Sequence, residues 1–186
     1  MKVCRCGPGI NLASAFYFLF SIMTKDYEGD PLEQFADEAH RIRDAIGPYI
    51  LDVEHVGSTS IPGLAAKPII DIQVVVADFS QLAQCIPAMQ QLGYRYKGLY
   101  GIVGREYFKR PLYHVHMVQK GNGEYTRKKL FLQYLRDHPD VLDEYAKLKK
   151  QNSILAYNAD KTDFIMGVLR KAGWDVDGRK SDYLEH

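Results

Sequence analysis

Apolar residues recur along the chain at two spacings, one typical of helices and the other of strands. Between Leu32 and Ile46 they recur every three or four positions, which predicts an amphipathic helix. Asp30 and Pro31 stand where an N-cap and a first helical residue belong, and Gly47 is placed to end the helix. The apolar run from Ile69 to Val76 is rich in β-branched residues and predicts a central strand.

The remaining elements alternate in the same way. Strands are expected at Tyr49–Val56, Tyr94–Leu99, Arg105–Arg110 and Leu112–Gln119. Helices are expected at Phe79–Leu92, Leu130–Leu135, Pro139–Leu155 and Thr162–Ala172. This order predicts an α+β (mixed α/β) domain, with a mixed sheet, flanking helices and a helical C-terminal part.

The two ends of the chain are expected to lie outside this domain. Residues 1–22 contain an apolar run that lacks a small-x-small cleavage pattern and is too short to span a bilayer. We interpret it as a non-native extension from an upstream start, with a secretion signal as the alternative. Leu184–His186 resembles a tag remnant, which leaves residues 23–183 as a single domain. With only three cysteines, we expect a cytoplasmic protein with no membrane partner.

Charge is balanced overall but unevenly distributed. The 186 residues contain 24 Lys and Arg against 23 Asp and Glu, which argues against stable DNA or RNA binding. From Asp26 to Asp78 there are 11 acids and 3 bases, whereas from Arg95 to Arg136 there are 10 bases and 2 acids. If the fold brings these halves together, a small anionic ligand is the expected partner.

The stretch after the first predicted strand has the residues most indicative of chemistry. Gly57 permits a close backbone approach, and Ser58 and Thr59 offer hydroxyl and N–H groups that suit a phosphate. On the next strand, a period of two places Asp71 and Gln73 on one face. A carboxylate in so apolar a strand costs free energy unless it binds a metal ion, a ligand or a basic partner. A satisfied structural polar pair is the alternative.

Two histidines and three basic residues complete the candidate site. His114 and His116 share one face of a strand and are candidates to bind an ion or to transfer a proton. Two half-buried structural histidines are the equal alternative. Lys67, Arg110 and Lys161 are candidate phosphate contacts, although a solvated surface position is the more common location for either lysine.

Four blocks of this sequence resemble the GrpB family of the nucleotidyltransferase-like superfold. They are HVGSTSIPGLAAKPIIDI (His55–Ile72), YHVHMV (Tyr113–Val118), YLRDHPDVLDEYAKLKK (Tyr134–Lys150) and KTDFIMGVLRKAG (Lys161–Gly173). The resemblance covers most of the chain, from about Pro31 to Gly173. It implies a nucleotidyltransferase-like mixed sheet.

The resemblance also implies roles for individual residues. In active nucleotidyltransferases of this superfold, a Gly-Ser turn holds the triphosphate and two acids at i and i+2 hold divalent metal. Gly57 and Ser58 match the turn, and Asp71 matches the first acid. Gln73 stands at the second acid position and adds no charge to a metal site. The implied cofactor is Mg²⁺ or Mn²⁺ on Asp71 and His116, with Zn²⁺ as the alternative.

Three functions remain open from the sequence. The first is a metal-assisted nucleotidyl or phosphoryl transferase acting on a small phosphate-bearing substrate, with Asp71 on the metal and His114 or His116 assisting. The second is a binding module for a nucleotide or a coenzyme-A-like molecule that has lost transfer chemistry, which Gln73 favours. The third is an interaction protein whose C-terminal helices bind a partner.

Overall fold

A computed structural model describes residues 29–151 and 154–174, apart from the side chains of residues 151 and 154–159. The predictions for residues 1–22 and 184–186 lie outside the described residues. The helices are α1 (Pro31–Ile46), α2 (Leu82–Gln91), α3 (Gly123–Asp137), α4 (Pro139–Gln151) and α5 (Ile154–Lys171). The strands are β1 (Asp52–Val56), β2 (Ile70–Val76), β3 (Arg95–Tyr96), β4 (Arg105–Arg110) and β5 (Tyr113–Gln119).

The five strands form one mixed sheet in the order β1-β2-β5-β4-β3. The central pair, β2 and β5, is parallel, and every other neighbouring pair is antiparallel. The parallel pair requires a long crossover, which α2, β3 and β4 supply. This architecture, with helical segments at both ends, confirms the predicted α+β fold class.

The two faces of the sheet have different partners. On one face the alternate residues of β2, from Ile70 to Val76, pack with α1 and α2 in the main apolar core. On the other face Val56 and the following Ile61 pack against apolar residues of α3, α4 and α5 in a second cluster. The predicted period of two therefore places Asp71 on the same side of the sheet as the C-terminal helices.

Helix α1 begins as the sequence predicts, because the Asp30 carboxylate accepts a hydrogen bond from the Leu32 amide at 2.9 Å. The third helix is longer than predicted, because Asn122 acts as its N-cap and accepts from the Tyr125 amide at 2.8 Å. The extra residues of α3 include the bases Arg127 and Lys128.

A polar cluster lies on the face of the sheet that packs against α1. Glu38 is 1% exposed and forms a salt bridge with Arg110. Its carboxylate also accepts hydrogen bonds from the Tyr94 hydroxyl at 2.8 Å and from Arg41 at 3.1 Å. Burial raises the pKa of Tyr94, so the hydroxyl remains a donor to this carboxylate. The cluster ties α1 to the β4–β5 hairpin.

Across the described ranges, we find no helix with both the length and the apolar character that crossing a membrane requires.

Candidate functional site

The Gly57–Ser58 turn lies against the carboxylate of Asp71. Strand β1 ends at Val56, and Gly57 follows with φ 75° and ψ −170°, a conformation that is essentially restricted to glycine. A Cβ atom at this position would lie 2.6 Å from Asp71 Oδ2 and 2.9 Å from Asp71 Cβ. Glycine is therefore required here both by its backbone conformation and by the close approach of the two strands.

The parallel register of β2 and β5 brings two histidines to the same carboxylate. Asp71 pairs with His114, and Gln73 pairs with His116. The Oδ1 atom of Asp71 lies 3.5 Å from His114 Nδ1 and 3.2 Å from His116 Nε2. Burial alone would raise the pKa of Asp71, but hydrogen bonds from the two histidines hold it well below its usual range. Asp71 is therefore ionised at neutral pH.

His116 is neutral at the same pH. Burial and the nearby positive charge of Lys128 lower its pKa to about 4, although Asp71 acts in the opposite direction. Arg105 Nη1 lies 3.5 Å from His116 Nδ1, and guanidinium groups only donate. This assigns the acceptor role to Nδ1 and places the proton on Nε2, where it faces Asp71.

The Thr59 hydroxyl is used in hydrogen bonds that support the turn, and Thr59 is not among the residues that line the cleft described below. Its hydroxyl donates to the Ile69 carbonyl at 3.2 Å, so it accepts from His55 Nε2 at 3.0 Å. Burial lowers the pKa of His55 to about 4, which keeps the ring neutral. The predicted phosphate contact through this hydroxyl has no support, because both of its hydrogen-bonding roles are already used within the protein.

Basic side chains of the three C-terminal helices face Asp71. Lys128 of α3, Lys149 of α4 and Lys161 of α5 all interact electrostatically with its carboxylate. Burial is the main cause that lowers the pKa of Lys128 and of Lys149 to about 8. Repulsion among Lys67, Lys149 and Lys161 adds to the lowering at the last two.

We call Lys128, Lys149 and Lys161 the basic wall, and a buried acid on α3 holds Lys128 in place. Glu124 is 1% exposed, with Arg127 at 2.8 Å and Lys128 at 3.2 Å from its carboxylate. Burial would raise the pKa of Glu124, but the two cations hold it below its usual value. One carboxylate thus contacts two bases, and the residues that line the cleft include three bases and one acid.

Gln73 is a structural residue in this protein. It is fully buried, and its amide donates to Glu54 Oε2 at 3.0 Å across the β1–β2 pair. Among the described residues, its carbonyl Oε1 has no hydrogen-bond partner. The side chain of Gln73 is therefore held toward β1 by an amide–carboxylate contact.

These groups surround one cleft of about 220 Å³ between the sheet and the C-terminal helices. Its lining residues are Val56, Gly57, Ser58, Ile61, Asp71, His116, Arg127, Lys128, Phe131, Leu132, Tyr145, Lys161 and Ile165. Lys149 lies next to this lining: its ammonium is 5.6 Å from the ring centre of Tyr145, and it interacts electrostatically with Asp71 and Lys161. The cleft is smaller than the roughly 300–1,000 Å³ typical of sites for drug-sized ligands, so it suits one end of a ligand.

The donor set does not fit a two-metal site. Asp71 is the only carboxylate among the described cleft-lining residues, and basic groups surround it. Within ranges 29–151 and 154–174, no three His, Cys, Asp or Glu side chains are arranged to hold a metal ion. A metal on Asp71 and His116 remains a prediction from sequence.

The structure brings together some of the predicted site residues and separates others. Asp71, His114, His116, Gly57, Ser58 and Lys161 lie around the cleft or its edge. Lys67 is exposed, and its charge acts on Lys149 and Lys161. Arg110 does not reach the cleft, because the strand period turns it to the opposite face, where it pairs with Glu38.

Sequence reasoning missed three bases of the cleft, Arg127, Lys128 and Lys149. Two of them belong to the basic half found by counting charges from Arg95 to Arg136. That count indicated a basic region but could not indicate which bases face inward. Recognising Asn122 as an N-cap would have placed Arg127 and Lys128 on one helix that starts beside β5.

The fold and the site together define a mixed α+β domain with a basic cleft beside a single carboxylate on a strand. The family model described as GrpB protein matches residues 21–171. The chain belongs to the GrpB family, which confirms the predicted resemblance.

Individual relatives agree with this assignment. The chain is 45% identical over 123 residues to the UPF0157 protein YqkA of Bacillus subtilis, a match covering 64% of this chain but only 36% of YqkA. It is 32% identical to the UPF0157 protein BH1888 of Halalkalibacterium halodurans, covering 82% of this chain and 83% of that protein. The crystal structure of the conserved protein GrpB from Enterococcus faecalis is similar, with 37% identity and a TM-score of 0.69. That match covers 78% of this chain and 94% of the other.

Proposed function

We propose that this domain binds a small phosphate-bearing ligand, a nucleotide or a coenzyme-A-like molecule, with its phosphates in the basic cleft. The observation that carries the proposal is the convergence of Lys128, Lys149 and Lys161 on the cleft from three separate helices. Burying like charges together costs free energy in the absence of an anion. A bound phosphate removes this cost by pairing with the ammonium groups.

The Gly57–Ser58 turn supplies the uncharged part of the proposed phosphate site. Ser58 lines the cleft, so its hydroxyl is placed to contact a phosphate there, whereas the hydroxyl of the adjacent Thr59 is bonded to the Ile69 carbonyl. The neighbouring Gly57 has no side chain to block the backbone. Asp71 stands beside the turn as an ionised acceptor, suited to a hydroxyl group of the same ligand.

A metal-assisted nucleotidyl or phosphoryl transferase is the second candidate. The observation that favours it is the contact of Asp71 with neutral His116 beside a Gly-Ser turn. Gln73 and the basic surroundings weigh against it, because a metal-dependent transferase of this type needs more than one carboxylate. Metal-dependent release of pyrophosphate from a nucleoside triphosphate that disappears in Asp71→Ala would establish this candidate over the first.

The proposal predicts that loss of one cleft lysine weakens ligand binding. We expect Lys149→Met to lower the affinity for ATP, ADP or coenzyme A by about tenfold to a hundredfold, since one charge-assisted contact contributes roughly 1.5–3 kcal/mol. Isothermal titration calorimetry would measure this with EDTA, and again with Mg²⁺, Mn²⁺ or Zn²⁺.

The next residue in α4 provides a matched control. Lys150 is exposed, so Lys150→Met removes the same charge from the same helix away from the cleft. Its affinity should stay within about twofold of the parent, because exposed charges are screened by solvent and salt. The proposal would be refuted if the two variants lost equal affinity, or if none of ATP, ADP and coenzyme A bound to the parent protein.

Ligand affinity should also depend on pH above neutrality. The pKa values of Lys128 and Lys149 are lowered to about 8, so both lysines lose their protons in the free protein at higher pH. An anion stabilises the protonated forms, so binding takes up protons and the affinity decreases as the pH rises. We expect a decrease of up to about tenfold per pH unit above pH 8 for each lysine that the anion needs.

ATP titrations from pH 7 to pH 9.5 would test this dependence, because phosphate groups with a pKa near 6 are already ionised throughout that range. Lys149→Arg keeps its charge at every pH and should flatten the profile. An affinity that is constant up to pH 9.5 would show that these lysines do not contact the anion.

A further inference from the structure

A series of aromatic rings extends from His116, one of the residues that line the cleft. Tyr107 of β4 lies beside both histidines, with ring centres 5.4 Å from His116 and 5.6 Å from His114. Tyr100 stacks on Tyr107 with centres 5.1 Å apart and planes 21° from parallel. Tyr107 is buried, whereas Tyr100 is 66% exposed. The series thus leads from the two histidines that contact Asp71 to an exposed tyrosine ring.

The exposed end of this series is held in an unfavourable backbone conformation. Tyr100 has φ 46°, a left-handed value that costs a residue with a side chain about 1–2 kcal/mol. Arg105 is 5% exposed and donates from Nη2 to the carbonyls of Leu99 at 3.1 Å and Tyr100 at 2.8 Å. Its guanidinium also lies 5.0 Å from the ring centre of Tyr107. A buried arginine therefore fixes an exposed tyrosine over a buried one.

Strain of this kind persists where the surrounding structure enforces it, and it concentrates at ligand-binding positions. The loop also exposes two aliphatic side chains beside Tyr100, with Leu99 47% and Val103 55% exposed. A cleft of about 220 Å³ accommodates only part of a nucleotide, so the rest of such a ligand must lie outside it. Tyr100 offers an exposed flat ring, which Tyr107 connects to His116 in the lining of that cleft.

We infer that Tyr100, supported by Tyr107, is a stacking platform for the nucleobase of the ligand whose phosphates occupy the basic cleft. This inference rests on the proposed function and narrows its ligand class to molecules with a planar ring. Base stacking on an aromatic side chain contributes about 1–3 kcal/mol by alanine substitution and accepts every base. The platform therefore adds affinity for nucleotides as a class and little preference among bases.

The test compares a ligand that has a ring with one that lacks it. We expect Tyr100→Ala to weaken ATP binding by about fivefold to 150-fold, the range that corresponds to the stacking energy. Its affinity for inorganic tripolyphosphate should be unchanged, and Tyr100→Phe should bind ATP like the parent. Because the side chain is 66% exposed, the variants are expected to fold, and thermal unfolding without ligand would check this.

Each outcome separates this inference from the proposed function. If the parent protein binds none of ATP, ADP, coenzyme A and tripolyphosphate, the proposed function fails, and this inference fails with it. If tripolyphosphate binds but Tyr100→Ala leaves ATP affinity unchanged, or weakens both ligands equally, the platform alone is refuted. A change in oligomeric state in Tyr100→Ala, measured by analytical ultracentrifugation, would instead identify the loop as an interface between copies of the chain and overturn the inference.

Discussion

Gly57→Ala is expected to destabilise the protein and to abolish ligand binding together. The new Cβ would lie 2.6 Å from Asp71 Oδ2 and 2.9 Å from Asp71 Cβ, distances that real structures do not contain. Asp71 cannot easily retreat, because His114 and His116 hold its carboxylate. The backbone conformation costs roughly 1–3 kcal/mol for a residue other than glycine, and overpacking adds a similar amount. We expect a loss of about 3–5 kcal/mol in the free energy of unfolding.

Gly63→Ala is the matched control for this substitution. Gly63 also has a positive φ, of 77°, but no atom lies within 4 Å of a Cβ built there. It therefore isolates the backbone cost from the contact with Asp71. Urea denaturation and calorimetric titration with ATP would measure both variants. If Gly57→Ala were no less stable than Gly63→Ala and bound ATP equally well, the proposed role of the turn would be wrong.

Glu38→Ala is expected to have the largest effect on stability outside the cleft. It leaves buried Tyr94 and half-buried Arg110 without their carboxylate. Removing one partner of a buried ion pair costs about 3–5 kcal/mol, because the remaining charge stays buried and unpaired. Chemical denaturation would measure the loss. Ligand affinity of the folded fraction should be unchanged, because the cluster lies on the opposite face of the sheet from Asp71.

Two further variants serve as controls for the loss of stability in Glu38→Ala. Glu33→Ala removes an exposed carboxylate from the same helix, and its stability should stay within about 0.5 kcal/mol of the parent. Glu38→Gln keeps an acceptor for the Tyr94 hydroxyl but loses the charge that pairs with Arg110, so its effect should be intermediate. A loss below 1 kcal/mol in Glu38→Ala would mean that water or another residue compensates for the missing carboxylate.

Local sequence signals predicted the elements that carry the acid and the turn. A period of two on an apolar strand was enough to place Asp71 and Gln73 on one face, and Asp30 with Pro31 marked the start of α1. The Gly57–Ser58 turn could be predicted because its backbone conformation favours glycine. These features depend on neighbours in sequence, which is why a single chain is sufficient to predict them.

The basic wall could not be predicted in this way. Lys128, Lys149 and Lys161 lie on three helices, and nothing local distinguishes them from exposed lysines such as Lys150. Their inward orientation depends on how α3, α4 and α5 pack against β1 and the following turn. Arg110 illustrates the converse case, since a base in a strand of suitable composition faces a buried glutamate and not the cleft.

The parallel pairing of β2 with β5 means that the site forms from residues that are synthesised at different times. Asp71 and His116 are 45 positions apart, and Lys161 follows later still. During synthesis the acid and its turn are therefore made before the histidines and the lysines. A one-residue slip in the pairing would replace both histidines with their apolar neighbours, such as Val115. Binding of the proposed ligand therefore requires that α5 has been synthesised and that the two central strands have paired in the native register.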